Sequence, residues 1–330
     1  MRSGLYGIIS RQRGIFARHQ AIACGYTKRE FDAMTTPRTG PWVRVRYGVY
    51  ADRKVWVGLS SDERLRLRDR AALLVCDEQT VLSHSSAARL LGLPVYDADD
   101  GLTHVTRPGQ SQTSRVQAGI KHHRTPLDPA RIITLDGVRV TDPAKTTLGM
   151  AAEFGYRSGL VTADAALREG ASRGDLLSLA SAVTTEPHAP AMRAVAEAAD
   201  GRAETPIETL GRILLVNMGI TDLELQVVIA LADDHSAVVD IYSRGLRHVF
   251  EADGRVKYQD QYDARGRLVT ADDVVWFEKK REDLVRGTGA GCSRIVWPDV
   301  LVENFPRVSA RLWQEISDQH GGRLWLPSTA

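Results

Sequence analysis

Cysteine is scarce in this chain. Three occur among 330 residues, at Cys24, Cys76 and Cys292, an odd number spread too widely for a disulfide framework or a zinc site. Reduced thiols are expected. Long apolar runs are missing too, since none approaches the ~20 residues of a membrane span. The N-terminus carries no apolar segment of the signal-peptide type, so a cytoplasmic protein is expected. No internal repeat stands out. What remains is ordinary globular material, 43% hydrophobic and 25% charged, long enough for two or three domains.

The net charge of +2 conceals an imbalance. Residues 1–58 hold eleven Lys/Arg and three Asp/Glu, a surplus of +8, which leaves −6 for 59–330. A small basic head on a mildly acidic body fits a polyanion-binding module. Within that head, "IFARHQAIACGYTKREFDAM" (15–34) predicts helix, tight turn, helix. Phe16, Gln20 and Ala23 share a face, Gly25 ends the first helix, and Thr27 with Glu30 forms a capping-box pattern at the second. Tyr26, Phe31 and Met34 pin the second helix to the core, which leaves Lys28 and Arg29 facing outward. "WVRVRYGVYA" (42–51) then predicts two strands bent at Gly48. Period-two alternation puts Arg44 and Arg46 on one face. Helix, turn, helix and a basic ribbon make the plan of a winged helix-turn-helix.

The run "GIFARHQAIACGYTKREFDAM…GPWVRVRYGVYA" resembles the N-terminal domain of AbiEi-family antitoxins of type IV toxin–antitoxin systems. The resemblance implies an operator-binding domain that represses its own operon. It assigns base reading to Lys28 and Arg29, and backbone contacts to Arg38, Arg44, Arg46 and Tyr47. It also implies a cognate nucleotidyltransferase-type toxin as partner.

The middle, 59–200, predicts helices at "ERLRLRDRAALLVC" and "SHSSAARLLGLPV", the latter with Ser83 as N-cap. Short strands fill 102–140, helices follow from Pro143, and a linker is expected at 184–206. This segment resembles the middle part of AbiEi-like proteins, which implies a connecting or interaction role. His84 and the pair His122–His123 invite a metal hypothesis. No Cys, Asp or Glu stands beside them at ligand spacing, and adjacent strand residues point to opposite faces, so structural histidines are expected.

The last domain opens with "TPIETLGRILLVNMG", where Ile207, Leu210, Leu214 and Met218 form a helical apolar stripe with Glu208 at its edge. The strand "LELQVVIAL" follows, then the hairpin "VVDIYSRGLRHVFEADGRVKY" (238–258). Asp240, Glu251 and Asp253 lie inside its strands. Crowded carboxylates repel one another, and each loses hydration on burial. A divalent cation, Mg²⁺ or Mn²⁺, held by Asp240, Glu251 and Asp253 removes the conflict. The alternative is a charged sheet edge whose acids pair with Arg244, Arg247, Arg255 or Lys257.

Helix-Glu, strand-Asp, strand-Glu resembles the PD-(D/E)XK superfamily. "FEADGRVKY…FEKKREDLVR…SRIVWPDVL" is similar to very-short-patch-repair-like endonuclease domains with their E-x-D-G-x-x-(H/K)-Y core. The resemblance implies Asp240, Glu251 and Asp253 as metal ligands and Glu208 as the carboxylate that orients water. It implies Lys257 as a charge neutraliser, with Lys280 and Arg281 gripping phosphate. The usual lysine two residues after the glutamate is Asp253 here, a departure that the narrower group shares.

The expectation is therefore a mixed α/β chain in three parts. Residues 1–58 form a winged helix-turn-helix, 59–200 a mixed domain, and 203–330 an endonuclease-like mixed sheet flanked by helices. Double-stranded DNA is the expected partner. Two functions follow: Mg²⁺-dependent phosphodiester hydrolysis, or a non-catalytic autorepressor that binds an inverted repeat as a homodimer.

Overall fold

The computed structural model describes residues 1–109, 113–184, 188–231, 235–254, 261–262, 268–269 and 283–320. The chain is mixed α/β and divides into two compact units. Unit 1 is 1–166 with 170–199, and unit 2 is 167–169 with 200–330. Among the described residues no helix is long and apolar enough to cross a membrane.

Unit 1 begins with α1 (Ser3–Arg11), β1 (Ile15–Ala17), α2 (Arg18–Ala23), α3 (Lys28–Met34), β2 (Trp42–Arg46) and β3 (Val49–Asp52). The strands pair in the order β1-β3-β2. This is the winged helix-turn-helix plan. Its first helix is shorter than the periodicity predicts, because Ile15, Phe16 and Ala17 pair with Ala51, Tyr50 and Val49 as a strand. Gly25, at φ 89°, ends the short α2. The capping box at α3 forms: Thr27 Oγ1 accepts from Glu30 N at 3.2 Å, and Glu30 Oε2 accepts from Thr27 N at 2.7 Å. Two orphan amides are thus satisfied where the helix starts.

The core of this head is aromatic. Trp42, 1% exposed, packs edge-on to Phe16 at 4.8 Å and Tyr26 at 5.1 Å, and lies 5.7 Å from Phe31. The other face of the small sheet (Ile15, Val45, Val49, Ala51) is covered by Leu67 and Ala71 of α5 (Ser61–Leu73), which follows α4 (Arg53–Gly58). One core therefore runs continuously past residue 58.

Next come β4 (Val81–Leu82), α6 (His84–Leu90), β5 (Thr103–Pro108), β6 (Thr113–Gln117), β7 (Ile120–Thr125), β8 (Ile132–Leu135) and β9 (Val138–Thr141). They build a six-stranded sheet in the order β6-β7-β5-β4-β9-β8. Pairing is mixed: β5–β7 and β4–β9 are parallel, the rest antiparallel. α7 (Pro143–Arg168) is broken at Gly155, whose φ of 85° and ψ of −177° interrupt the helical path. The expected linker at 184–206 contains a helix, α9 (Ala189–Ala198), preceded by α8 (Arg173–Ala182).

Unit 2 contains α10 (Pro206–Asn217), β10 (Leu223–Ala230), β11 (Ser236–Ser243) and β12 (His248–Asp253). It continues with the short ribbon β13 (Gln261–Tyr262) and β14 (Leu268–Val269), then β15 (Gly291–Val296) and α11 (Phe305–Gln319). Residues 283–287 are helical. The main sheet runs β10-β11-β12-β15, with only β12–β15 parallel. The α10 stripe is buried as its spacing requires, with Leu210 at 0% and Ile207 at 2% exposure. Gly211 lets the helix approach the sheet, since a Cβ there would sit 3.4 Å from Ile241 and from Ile295.

Trp42→Ala is expected to destabilise the chain by about 3–5 kcal/mol, because it empties the centre of an aromatic core. Thr27→Ala, which removes only a cap, should cost about 1 kcal/mol. Urea unfolding of both variants checks the order and the size of the two effects.

Candidate functional site

Two groups of chemistry-bearing residues are built by these frames, one in unit 2 and one in unit 1. In unit 2, the β11–β12 ladder ends at Ile241↔Phe250. One step further the register brings Asp240 opposite Glu251, and there the pattern changes. Ala252 N donates to Asp240 Oδ2 at 2.8 Å, so a side chain takes the place of a strand carbonyl. On the other flank of Asp240 the β10–β11 register skips Gln226, whose φ is 52°. Asp240 thus sits where both of its ladders part. That is how a carboxylate is accommodated inside a sheet: the strands give up regular pairing and aim a backbone donor at it.

Glu208, 3% exposed, lies in the first turn of α10. Its carboxylate accepts from Thr205 Oγ1 at 2.7 Å, Glu204 N at 2.9 Å and Gln226 Nε2 at 3.0 Å. Burial raises its pKa above the ordinary value, the hydrogen bonds oppose this, and the negative charge of Asp240 adds to the rise. Two of the predicted acids are therefore electrostatically coupled through structure rather than sequence proximity.

Glu251 and Asp253 share a face of β12 by alternation. Asp253 Oδ2 accepts from Arg294 Nη1 at 3.0 Å, and Arg294 stands opposite Glu251 in the parallel register of β15. Asp253 is thus engaged by an arginine that sequence spacing does not indicate. Arg244 pairs instead with Glu224, and Arg247 reaches the Thr288 carbonyl at 3.4 Å. Lys257, Arg255, Lys280 and Arg281 lie outside the described residues. Among the described residues, ligand atoms of three His, Cys, Asp or Glu side chains approach within 4.8 Å of one another in two groups, both in unit 1. The three predicted metal ligands of unit 2, Asp240, Glu251 and Asp253, belong to neither group.

In the head, Lys28, Arg29, Arg38 and Arg44 are exposed, and Tyr47 is 82% exposed. Arg46 differs. The β2–β3 register shifts between Arg44 and Arg46, so strict alternation fails. Arg46 donates to the Arg68 carbonyl at 3.4 Å and to the Ala118 carbonyl at 3.2 Å. The bulge commits it to the body of unit 1 rather than to the face that Arg44 occupies.

The second group is one that sequence spacing argues against. His84, His104 and His123 come together from α6, β5 and β7. His84 and His123 stack at 3.8 Å between ring centroids, and His104 Nδ1 lies 3.0 Å from His123 Nε2. Asp100 Oδ2 is 2.9 Å from His104 Nε2. Ser83 occupies the N-cap position of α6 but makes no capping hydrogen bond. Its Oγ instead lies 2.8 Å from His84 Nδ1 and accepts from Thr106 Oγ1 at 2.8 Å. Burial and mutual repulsion lower the pKa of His84 well below its ordinary value and that of His123 to about 3; burial also lowers that of His104, against the pull of Asp100. All three rings are neutral at pH 7. Two of the three, His84 and His123, are singled out in the sequence, and His104 is the one it does not indicate.

Because the folded pKa of Glu208 is raised, the folded state holds its proton where the unfolded chain has lost it. Stability contributed by the protonated form is therefore lost as pH rises above the ordinary carboxyl value of 4.5. Relative to wild type, Glu208→Gln should become progressively more favourable between pH 4.5 and pH 7. Urea unfolding at those two values measures this, and a difference that is flat with pH would contradict the raised pKa of the buried Glu208.

No protein-family model matches the chain. Two uncharacterized proteins of Mycobacterium tuberculosis, MT2308 and Rv2248, are each 28% identical to it over 202 residues, which span 61% of this chain and 68% of the relative. The crystal structure of the RV2827C protein from Mycobacterium tuberculosis aligns at a TM-score of 0.37 and 16% identity, over 63% of this chain and 79% of that one. A likeness this distant carries no functional argument.

Proposed function

We propose that this protein binds duplex DNA through its N-terminal winged helix and hydrolyses phosphodiester bonds at the Asp240–Glu251 pair of unit 2 with Mg²⁺ or Mn²⁺. The observation that carries the reading is the double break of the sheet at Asp240. A sheet built only for stability has no reason to open both ladders around a carboxylate and set a second acid across from it. The order α10-β10-β11-β12-β15 supports it as well, because it brings the helix-borne Glu208 to the same side chains. A bound divalent cation would supply charge for the departing oxygen and a more acidic water. The chain's own contribution is to hold Asp240 in place through the Ala252 amide, and to keep Glu208 in a fixed rotamer through Thr205 and Gln226.

DNA contact rests on Lys28 and Arg29 at the start of α3, with exposed Arg38, Arg44 and Tyr47 on the loop and ribbon that follow it in the chain. Their exposure and sign suit phosphate, which supplies most non-specific affinity. Arg46 holds the ribbon to the body and is not part of this contact set.

A second reading is favoured by one observation, the Asp253–Arg294 ion pair. With Asp253 neutralised by an arginine, unit 2 would serve as a non-catalytic scaffold. The protein would then act as an autorepressor on an inverted repeat, as a homodimer, alongside a nucleotidyltransferase-type toxin encoded nearby.

Supercoiled plasmid incubated with Mg²⁺ should be nicked or cut by the wild type. Asp240→Asn keeps an acceptor for Ala252 N while removing the charge. It and Glu251→Gln should abolish cleavage and leave DNA affinity unchanged. Equal behaviour of wild type and both variants rejects the nuclease reading and leaves the repressor. Lys28→Ala/Arg29→Ala should weaken binding and lower the slope of log K against log salt by about 1 for each phosphate left without its cation. An unchanged slope removes these two residues from the interface.

A further inference from the structure

The histidine cluster of unit 1 is absorbed by neither reading. Its geometry is that of a site. His104 is 0% and His123 9% exposed, and a ligand nitrogen from each of the three rings lies within 4.8 Å of the others. We propose that His84, His104 and His123 form a three-histidine site for a divalent first-row transition-metal ion, Zn²⁺ foremost.

Four features on separate elements support this. The first is spacing. Zn–N bonds of about 2.0–2.1 Å in a tetrahedron set neighbouring nitrogens about 3.3 Å apart. The 3.0 Å between His104 Nδ1 and His123 Nε2 is a few tenths short of that edge, whereas His84, stacked on His123 at 3.8 Å between centroids, has to turn out of the stack to point its nitrogen at the same ion. The second is the outer partner on two of the rings. Metal-bound imidazoles nearly always give their other nitrogen to a carboxylate, carbonyl or hydroxyl group. Asp100 holds His104 Nε2 in this way, and Ser83 holds His84 Nδ1, which leaves His84 Nε2 as the ligand atom.

The third feature is backbone. His84 has a φ of 50°, in the left-handed region that histidine enters more readily than most non-glycine residues. Gly149 of α7 makes room for its ring, since a Cβ there would come 3.1 Å from His84 Cδ2. The fourth is an open side. A cavity of about 280 Å³ is bordered by His84, His123, Thr106, Lys145, Gly149 and Glu153. It gives water room beside two of the three rings.

The donor set selects the ion. Neutral imidazoles suit Zn²⁺, Co²⁺, Ni²⁺ and Cu²⁺, while Mg²⁺ and Ca²⁺ require oxygen. Neutral imidazole is the form that ligates. Because His104 gives its Nε2–H to Asp100, its Nδ1 carries a lone pair and accepts from His123 Nε2–H. The ion takes the place of that hydrogen, which moves to His123 Nδ1. No net proton leaves the two rings.

The test uses tag-free, chelator-treated full-length protein titrated with Co²⁺ and then Zn²⁺. Expected are the visible d–d bands of tetrahedral cobalt, saturating at one tetrahedral ion per chain, and their displacement by Zn²⁺. His84→Gln and His123→Gln should each lose the bands. Asp100→Asn should weaken the affinity about 10–100-fold. Asp240→Asn should leave it unchanged, which separates this site from the acids of unit 2. Wild-type protein without tetrahedral bands overturns the proposal whatever the variants do. Bands that persist in both histidine variants, with circular dichroism like that of wild type, overturn it equally.

Discussion

A β-sheet tolerates a carboxylate in its interior only when hydrogen-bond donors are diverted to it, and in unit 2 that constraint shapes everything around Asp240. The Ala252 amide leaves the β11–β12 ladder to meet Asp240. Gln226, displaced from the neighbouring ladder, gives its side-chain amide to Glu208. Each buried acid therefore finds a donor, and each donation removes a rung from the sheet. A hydrogen bond to an ionised group contributes about 1.5–3 kcal/mol, more than a neutral rung, so the exchange does not weaken the fold. It opens the strands at the one place where charge is concentrated.

The same rule explains the histidines of unit 1. Three rings are gathered in a largely buried cluster, and their nitrogens are answered by Asp100, Ser83 and one another. Polar groups collected this densely are uncommon in a core unless they hold something or position something. The two units thus present different chemistry. Hard oxygens and an arginine lie in one, borderline nitrogens beside a cavity in the other, donor sets of different chemical hardness.

Much of the frame is legible from residue pattern. The capping box at Thr27, the left-handed Gly25, the apolar stripe of α10 and the hairpin of β11 and β12 are local signals, and local signals survive folding. What fails depends on partners distant in the chain. Phe16 has helical spacing, yet pairing with Tyr50 draws it into a strand. Arg46 obeys alternation in the sequence, but a bulge beside it turns it to the carbonyls of Arg68 and Ala118. Ser83 occupies a cap position and commits its hydroxyl to His84 and Thr106. His84 and His123 stand out in the sequence but their meeting with His104 does not, since parallel pairing of β5 with β7 brings His104 near His123 across nineteen positions. Of the acids, the Asp240–Glu251 relation follows from the hairpin, whereas the claim of Arg294 on Asp253 requires the parallel strand β15.

The account stands on Asp240 and Glu251 sharing one cation. Anomalous diffraction at the manganese edge, from crystals soaked in Mn²⁺, reads this directly. A peak at about 2.2 Å from one carboxylate oxygen of each residue, Mn²⁺ being close to Mg²⁺ in its oxygen ligands, is the predicted result. Density showing Glu251 drawn to Arg294, with no anomalous peak beside Asp240, would contradict it.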